Sequence, residues 1–366
     1  MRAQPTQGRI FAVIMAGGGG ERFWPASRQA LPKQLLRIFG KRTMIQETAR
    51  RISGLVPPER LVVVTTALQA PLIARQLPRI PRGSIVAEPF GRDTAACVAL
   101  GAAIVLSRDP EGVMVVLPAD HVIRDRRRLL AALRDACRFA RERECLVTLG
   151  IVPTEPATGY GYIRGGAAVS RGMRTVFSKV RAFTEKPAPA VARRYLRSGD
   201  YYWNSGIFVW KASVIAEEFK RHMPALHRGL VEIRDALGTR RAAAVIRRVY
   251  KRIERISIDY GVMEKSDRTV VARADFDWDD AGSWCALERH FPEDRAGNVI
   301  LGNSVALDTE RCIIVSDDGI VGCLGVKDLV VVKTADAVLV CRRGAAQELK
   351  RIVRELKAGA GMRRFA

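Results

Sequence analysis

The sequence predicts an α/β protein, a Rossmann-like doubly wound domain with a mixed, mainly parallel sheet, followed by a small β-rich domain. Three observations predict it. Short β-branched runs alternate with helical patterns as far as Val152, a glycine-rich turn follows the first run, and helical patterning nearly vanishes after Phe291.

In chain order the runs are "FAVIMA", "TMIQETARRI", "LVVVTT", "QAPLIARQL", "SIVAEP", "DTAACVALGAAIVL", "VMVVLPAD", "LLAALRDACRFARE" and "CLVTLGI". Uninterrupted apolar strands of this kind, alternating with helices, mark βαβ units around a sheet covered on both faces. Beyond Val152, "TGYGYIRGG", "TVFSKVRAFTEKP" and "YWNSGIFVWKA" read as strands punctuated by Gly and Pro, with "APAVARRYLRSG" as a helix between them. From Phe291 onward short strands recur, "SVALDT", "CIIVSDD", "IVGCLGV", "LVVVKT" and "AVLVCRR", before a closing helix "AAQELKRIVRELK". The expected domains are therefore residues 1–290 and a β-rich remainder, residues 291–366.

Composition narrows the function classes. The chain has 366 residues, 48% of them hydrophobic and 27% charged, which is ordinary globular composition rather than disorder. The N-terminal "MRAQPTQGRI" lacks the apolar core of a secretion signal, and no stretch approaches the ~20 apolar residues of a membrane span, so a cytoplasmic protein with no membrane partner is expected. Seven scattered cysteines without a CxxC pair point to thiols in a reducing compartment, and four histidines without HxxxH spacing give no zinc site. The formal charge of +23 raises the question of nucleic acid. Its arginines, however, are spread over predicted helices with acids interleaved, which reads as a solvated basic surface and no nucleic-acid partner.

The segment "AGGGGERFWPASRQALPKQ", Ala16 to Gln34, carries the first chemistry. A glycine-rich turn between strand and helix exposes backbone N–H groups to a phosphate. Neither GxGxxG nor GxxxxGK[ST] fits, but Gly18-x-Gly20-x-Arg22 followed by Lys33 does supply cations. The arginine can fork onto a polyphosphate and the lysine can place a point charge on another. A chain-reversing turn beside two surface cations is the plainer alternative.

This segment resembles the signature of sugar-phosphate nucleotidyltransferases, in particular the mannose-1-phosphate guanylyltransferase branch. The resemblance continues in order along the chain through "AEPFGRDTAA", "VLPADHVI", "TGYGYI", "FTEKP", "WNSGIFVW", "WDDAGSW" and "GVKDLVVVKTADAVLV". It implies transfer of GMP from GTP to α-D-mannose 1-phosphate, giving GDP-mannose and pyrophosphate. The chemistry fits a site lacking a catalytic histidine: the attacking phosphate is already ionised at neutral pH, so cations and a metal matter more than a base.

The resemblance also implies residue roles. Ala16, Gly17, Gly18, Gly19 and Gly20 would cradle the nucleotide, Arg22 the departing phosphates, Lys33 the phosphates near the reacting centre and Lys186 the incoming phosphate. Asp120, at the end of a strand, and Asp280, in "WDDAGSW", would hold Mg²⁺, with Asp279 competing for the second place. Glu88 can accept from N1–H and the exocyclic amine of guanine, with Asp93 and Thr94 beside the nucleotide; the family commonly has Asn where this chain has Asp93. Gly159, Gly161, Glu185 and Asn204 would meet the sugar. The C-terminal portion resembles a short left-handed β-helix-like element, which implies a homodimer. Bifunctional relatives continue into an isomerase domain, so transferase activity alone is expected here. Other sugars or bases, and a non-catalytic nucleotide-sugar sensor of the same fold, are the competing readings.

Overall fold

The structure, a computed structural model, describes residues 8–170 and 174–366; the first seven residues, used above in reading the N-terminus, lie outside them. The chain forms two compact units that cut across chain order. One runs up to Gly17 and includes Thr48–Ala119 and Ile123–Trp278; the other comprises Gly18–Glu47, Asp120–Val122 and Asp279–Ala366. The glycine-rich segment thus groups with the C-terminal residues.

The first unit is built on nine strands: β1 (Ile10–Met15), β2 (Leu61–Thr66), β3 (Ile85–Glu88), β4 (Val113–Pro118), β5 (Leu146–Ile151), β6 (Gly161–Ala168), β7 (Phe177–Glu185), β8 (Tyr201–Lys211) and β9 (Thr269–Ala274). They form one sheet in the order β3-β2-β1-β4-β8-β5-β9-β7-β6. Pairing is parallel from β3 to β4. It becomes antiparallel where β8 enters between β4 and β5, and β5–β9 is the parallel pair beyond it. The run Ile207–Trp210 in β8 is buried, as a central strand requires.

The helices of the chain up to this point are α1 (Met44–Ile52), α2 (Ala70–Gln76), α3 (Asp93–Arg108), α4 (Arg126–Arg143), α5 (Pro189–Ser198), α6 (Ala212–His222), α7 (Pro224–Ala236) and α8 (Ala242–Arg252). Thr43 and Gln46 start α1 with a reciprocal capping box, the Gln46 side chain accepting from Thr43 N at 3.1 Å. α3 is apolar on every side, and Ala95 to Val105 are buried. It lies so close to β1 that a Cβ on Gly101 would stand 2.8 Å from Val13 Cγ1. One core joins α3, α6, α7 and α8 to the sheet through Val13, Val64, Leu100, Trp210, Phe219 and Tyr250.

In the second unit β10 (Val299–Leu301), β12 (Ile313–Ser316) and β14 (Leu329–Lys333) stack in parallel, closed by antiparallel β15 (Val338–Arg342). A second parallel pair, β11 (Ser304–Leu307) with β13 (Val321–Leu324), repeats the same step. Short parallel strands returning at regular intervals form a β-helix-like stack. Its core takes in Phe23, Trp24 and Leu36 beside Trp284, Val330 and Leu349. The Trp284 indole donates to Trp24 O at 3.0 Å, and the Trp24 indole donates to Phe365 O at 2.7 Å. The closing helix α9 (Lys350–Ala358) adds an ion pair from Lys357 to Glu21 at 2.7 Å. The residues just after the glycines are thus packed into the β-rich core.

Among the described residues no helix is long and apolar enough to cross a membrane, and the seven cysteines are free thiols.

Candidate functional site

The glycine-rich segment is held open by the lysine–glutamine pair that follows it. Gly20 takes φ +61°, a left-handed conformation that glycine alone adopts without cost. A Cβ there would lie 2.3 Å from Lys33 Cβ and 2.8 Å from Lys33 N. Gln34 is buried and donates to Gly18 O at 3.0 Å. The amides of Gly18, Gly19 and Gly20 donate to no described residue, and Arg22 Nε is buried with no acceptor among them. Unpaired N–H groups beside a half-buried guanidinium make an anion-accepting surface. Gly20→Ala is expected to lose about 2–4 kcal/mol, because backbone strain adds to overlap with a fixed neighbour. Denaturant unfolding would measure this, together with a rise of more than tenfold in the KM for nucleoside triphosphate.

Lys33 is itself buried, 4% exposed, and its ammonium has two partners on the acidic residues. It meets Asp120 Oδ2 at 3.0 Å and the backbone carbonyl of Asp280 at 2.7 Å. Asp120 follows β4 by two residues, and Asp280 directly follows Asp279, which bridges to Val122. A two-bond antiparallel bridge clamps these segments together, Val122 N to Asp279 O at 2.8 Å and Asp279 N to Val122 O at 3.0 Å. The predicted pair is therefore brought to one lysine.

The two carboxylates differ in charge environment. Burial alone would raise Asp120, but Lys33 and then His121 outweigh it and hold its carboxyl below the usual range. Burial lifts Asp280, and repulsion from Asp279 and Asp120 adds to the lift, against the pull of Lys33. The Asp280 carboxylate lies over Gly282, where a Cβ would be 3.2 Å from both oxygens, and accepts no hydrogen bond from a described residue. Hard oxygen donors, one of them unpartnered and crowded by like charge, fit a divalent cation. Among the described residues there is no group of three or more His, Cys, Asp or Glu placed to hold a metal, so the remaining ligands would come from substrate and water.

Asp279 is occupied. Its carboxylate accepts from Arg289 Nε at 2.7 Å and Arg289 Nη2 at 2.8 Å, shares a hydrogen bond with His290 Nε2 at 2.8 Å, and accepts from Ala281 N at 2.7 Å. Burial pushes the group upward, yet His290 and Arg289 overcome it and hold the carboxyl far below its usual range. This geometry leaves Asp280, not Asp279, with a carboxylate to spare.

In the other unit Glu88 closes β3 and is 5% exposed. Its Oε1 accepts from the Tyr250 hydroxyl at 3.0 Å, while Oε2 lies 3.0 Å from where a Cβ on Gly17 would stand. Burial pushes its carboxyl up to about 7, moderated by the Tyr250 hydrogen bond and reinforced by Asp93. Asp93 opens α3 at φ +68°, with Oδ1 accepting from Thr94 N at 2.8 Å. The Thr94 hydroxyl accepts from Ile258 N at 2.8 Å, tying α3 to the segment after α8.

The sugar candidates also converge. Gly161 pairs with Glu185 across β6 and β7, and a Cβ on Gly161 would stand 2.6 Å from Glu185 Oε2 and 3.6 Å from Asn204 Cβ. Lys186, at φ +45°, donates to Glu185 Oε1 at 2.7 Å. Asn204 donates to Asp259 at 2.7 Å and accepts from Gly206 N at 3.1 Å. A primary amide has two donors and two acceptor sites, so half of its capacity is left over. Gly159 has open space where its side chain would be. Ala16, at the end of β1, donates to Val64 O at 2.8 Å.

Sequence reasoning did not pick out several residues of these clusters. Tyr250 sits in the arginine-rich helix α8, where it reads as a core aromatic. Arg289 and His290 read as exposed polar residues in "LERHF". Asp259 is lifted mainly by burial, with Asn204 opposing and Glu185 adding to the lift, which places it electrostatically beside the sugar candidates. Tyr160 packs against Trp203 and Trp278 with ring centroids 5.0 and 5.1 Å apart, forming an aromatic wall next to Gly159 and Gly161.

Comparison with known proteins agrees along nearly the whole chain. The nucleotidyl transferase family matches residues 11–297, and a MannoseP isomerase/GMP-like beta-helix domain matches residues 302–356. A mannose-1-phosphate guanylyltransferase of Escherichia coli is 40% identical over 351 residues, 95% of this chain and 74% of its own. The mannose-1-phosphate guanylyltransferase ManC of Salmonella typhimurium is 40% identical over 364 residues, 96% of this chain and 74% of its own. A crystal structure from Thermus thermophilus, described as a mannose-1-phosphate geranyltransferase, is similar at 40% identity and a TM-score of 0.85, covering 95% of this chain and 99% of its own.

Proposed function

The chain belongs to the nucleotidyl transferase family, and from that premise we propose that it transfers GMP from GTP to α-D-mannose 1-phosphate, releasing pyrophosphate. A phosphate oxygen of the sugar phosphate attacks the α-phosphorus in line. The new O–P bond forms as the bond to the β-phosphate bridging oxygen breaks, and the electron pair leaves on pyrophosphate. No proton has to be removed from the nucleophile.

The observation that carries the reading is the joining of Asp120 and Asp280 at Lys33, with the Asp280 carboxylate unpartnered. Mg²⁺, held there by the two aspartates, would supply charge neutralisation at the α-phosphate. The free amides of Gly18 to Gly20 and the Arg22 guanidinium suit the β- and γ-phosphates. Lys33, hydrogen-bonded to Asp120 and to the Asp280 carbonyl, suits the phosphates near the reacting centre, Lys186 the incoming phosphate, and Glu185 and Asn204 the sugar hydroxyls. Glu88 reads guanine, with Asp93 and Thr94 beside it.

Self-association as a homodimer through the β-rich region, taken as residues 291–366, belongs to the same reading. It is supported by exposed apolar side chains there: Val305, Leu307, Leu324, Val338 and Val340 are 49–70% exposed, and Leu307 and Leu324 are register partners. A cytoplasmic location, where nucleoside triphosphates are available, belongs to the same reading.

Four nucleoside triphosphates assayed against several sugar 1-phosphates, scored by pyrophosphate release with and without Mg²⁺, test the proposal. GTP with mannose 1-phosphate and Mg²⁺ is expected to be preferred by at least tenfold. A preference for another pair would reassign the substrate, and no turnover with any pair would favour a sensor.

A further inference from the structure

We propose that Tyr250 is a specificity-determining positioning residue, which selects guanine over adenine by keeping the Glu88 carboxylate in its hydrogen-bond-accepting form. This deepens the assignment of Glu88 to the base and rests on it.

The two purines present opposite patterns at the edge Glu88 would read. Guanine offers two donors, N1–H and the 2-amino group. Adenine offers one donor, the 6-amino group, and one acceptor, N1. An ionised carboxylate accepts twice and matches guanine, whereas a protonated carboxyl donates once and accepts once and matches adenine. The protonation state of a single glutamate therefore decides which base it fits.

Tyr250 acts on that choice. It is 1% exposed, and its hydroxyl lies 3.0 Å from Glu88 Oε1 and 3.3 Å from Ala96 O. The hydroxyl has one proton to give. Given to Glu88, it takes one lone pair of Oε1 in the ionised form, and leaves the other lone pair of Oε1 and all of Oε2, beside Gly17, to accept from the two donors of guanine. A carboxyl protonated on Oε2 would turn a donor toward guanine N1–H and gain nothing from it. The other groups that bear on Glu88 are Asp93, at the start of α3, and Cys97, one turn further along the same helix. Asp93 opposes ionisation, and the buried Cys97 thiol, itself pushed well up by burial and then by Glu88, stays neutral. Tyr250 is thus the favourable partner, and Glu88 sits near its midpoint at neutral pH.

The test is the ratio of kcat/KM for GTP to that for ATP, measured from pH 6 to 9 on the full chain. Titrations common to both triphosphates, and to mannose 1-phosphate, cancel in this ratio. In the unsubstituted protein it should climb with pH through about 7, by up to tenfold per pH unit, as the adenine-matching protonated form gives way to the guanine-matching ionised one. Tyr250→Phe, which keeps the ring in the core, should move the inflection up by about one unit and cut the ratio at pH 7 several-fold, chiefly through KM. Glu88→Gln places one donor and one acceptor at the site at every pH, and should give a low, pH-independent ratio. A Tyr250→Phe ratio that superimposes on the unsubstituted curve, while Glu88→Gln collapses it, overturns the role of Tyr250. If Glu88→Gln also leaves the ratio and its pH dependence intact, Glu88 does not read the base, and that assignment falls with it.

Discussion

Asp280→Asn is expected to lower kcat by roughly 10³ while leaving the folded protein as stable as before, or slightly more so, at pH 7.5. The loss follows from removing a carboxylate from a cation-holding pair, worth several kcal/mol of transition-state charge stabilisation. The stability side follows from the raised carboxyl of Asp280: burial, with Asp279 and Asp120 adding, makes its charge unfavourable in the folded chain. A group raised on folding contributes its stability below the unfolded value, and loses it as pH rises through the folded one. Above the folded value the ionised side chain is therefore a cost, and a neutral isostere relieves it. Steady-state kinetics and thermal unfolding on the same preparation check both halves. Near-normal kcat would remove Asp280 from the metal role.

The opposite pattern is expected one residue earlier. Asp279→Asn should destabilise the protein by about 3 kcal/mol, because it leaves the Arg289 fork without its carboxylate and breaks the His290 contact in a buried setting. The figure stays at the low end for a buried pair because the Arg289 side chain is 45% exposed. The Asp279 carboxyl is held well below its usual range despite burial, by His290 and Arg289. Its stabilisation is thus present above the unfolded value, near 4, and drains away as pH falls toward the folded one. Urea unfolding should show the gap between Asp279→Asn and the unsubstituted protein narrowing below about pH 4. A constant gap down to pH 2.5 would mean the ion pair is not its source.

These neighbours show what the sequence could disclose. Asp120 stands out as a candidate because it ends an apolar strand, and Asp280 because "WDDAGSW" stands in order with the other motifs. That Asp279 is the structural member of the pair was not legible, since Arg289 and His290 lie ten and eleven residues further on and look like solvated charge. Tyr250 is farther removed still. It reaches Glu88 only because α8 packs near the end of β3, 162 residues away in sequence, and local periodicity in α8 reports a buried face without naming what that face meets.

The same physics separates the visible from the hidden parts of the fold. β1 to β5 and helices α1, α2 and α4 were legible because buried strands and amphipathic helices have different periods, and α3, apolar on every side, because its run is too long for a strand. The insertion of β8 between β4 and β5 was not, because the run IFVW is equally apolar whichever way the strand runs. Phe23 and Trp24 read as parts of a signature next to phosphate-binding glycines. The structure uses them as core for the β-rich unit, alongside Trp284 and Val330, so one short segment carries both a motif and a packing surface.

The measurement that bears most directly on the proposed chemistry is a ³¹P NMR time course of the full chain with GTP, mannose 1-phosphate and Mg²⁺. The triphosphate and the sugar monophosphate signals should decline together as a two-phosphorus diester and pyrophosphate grow in equal amounts. Sugar phosphate left unchanged after prolonged incubation, or triphosphate consumed without the diester appearing, would rule that chemistry out.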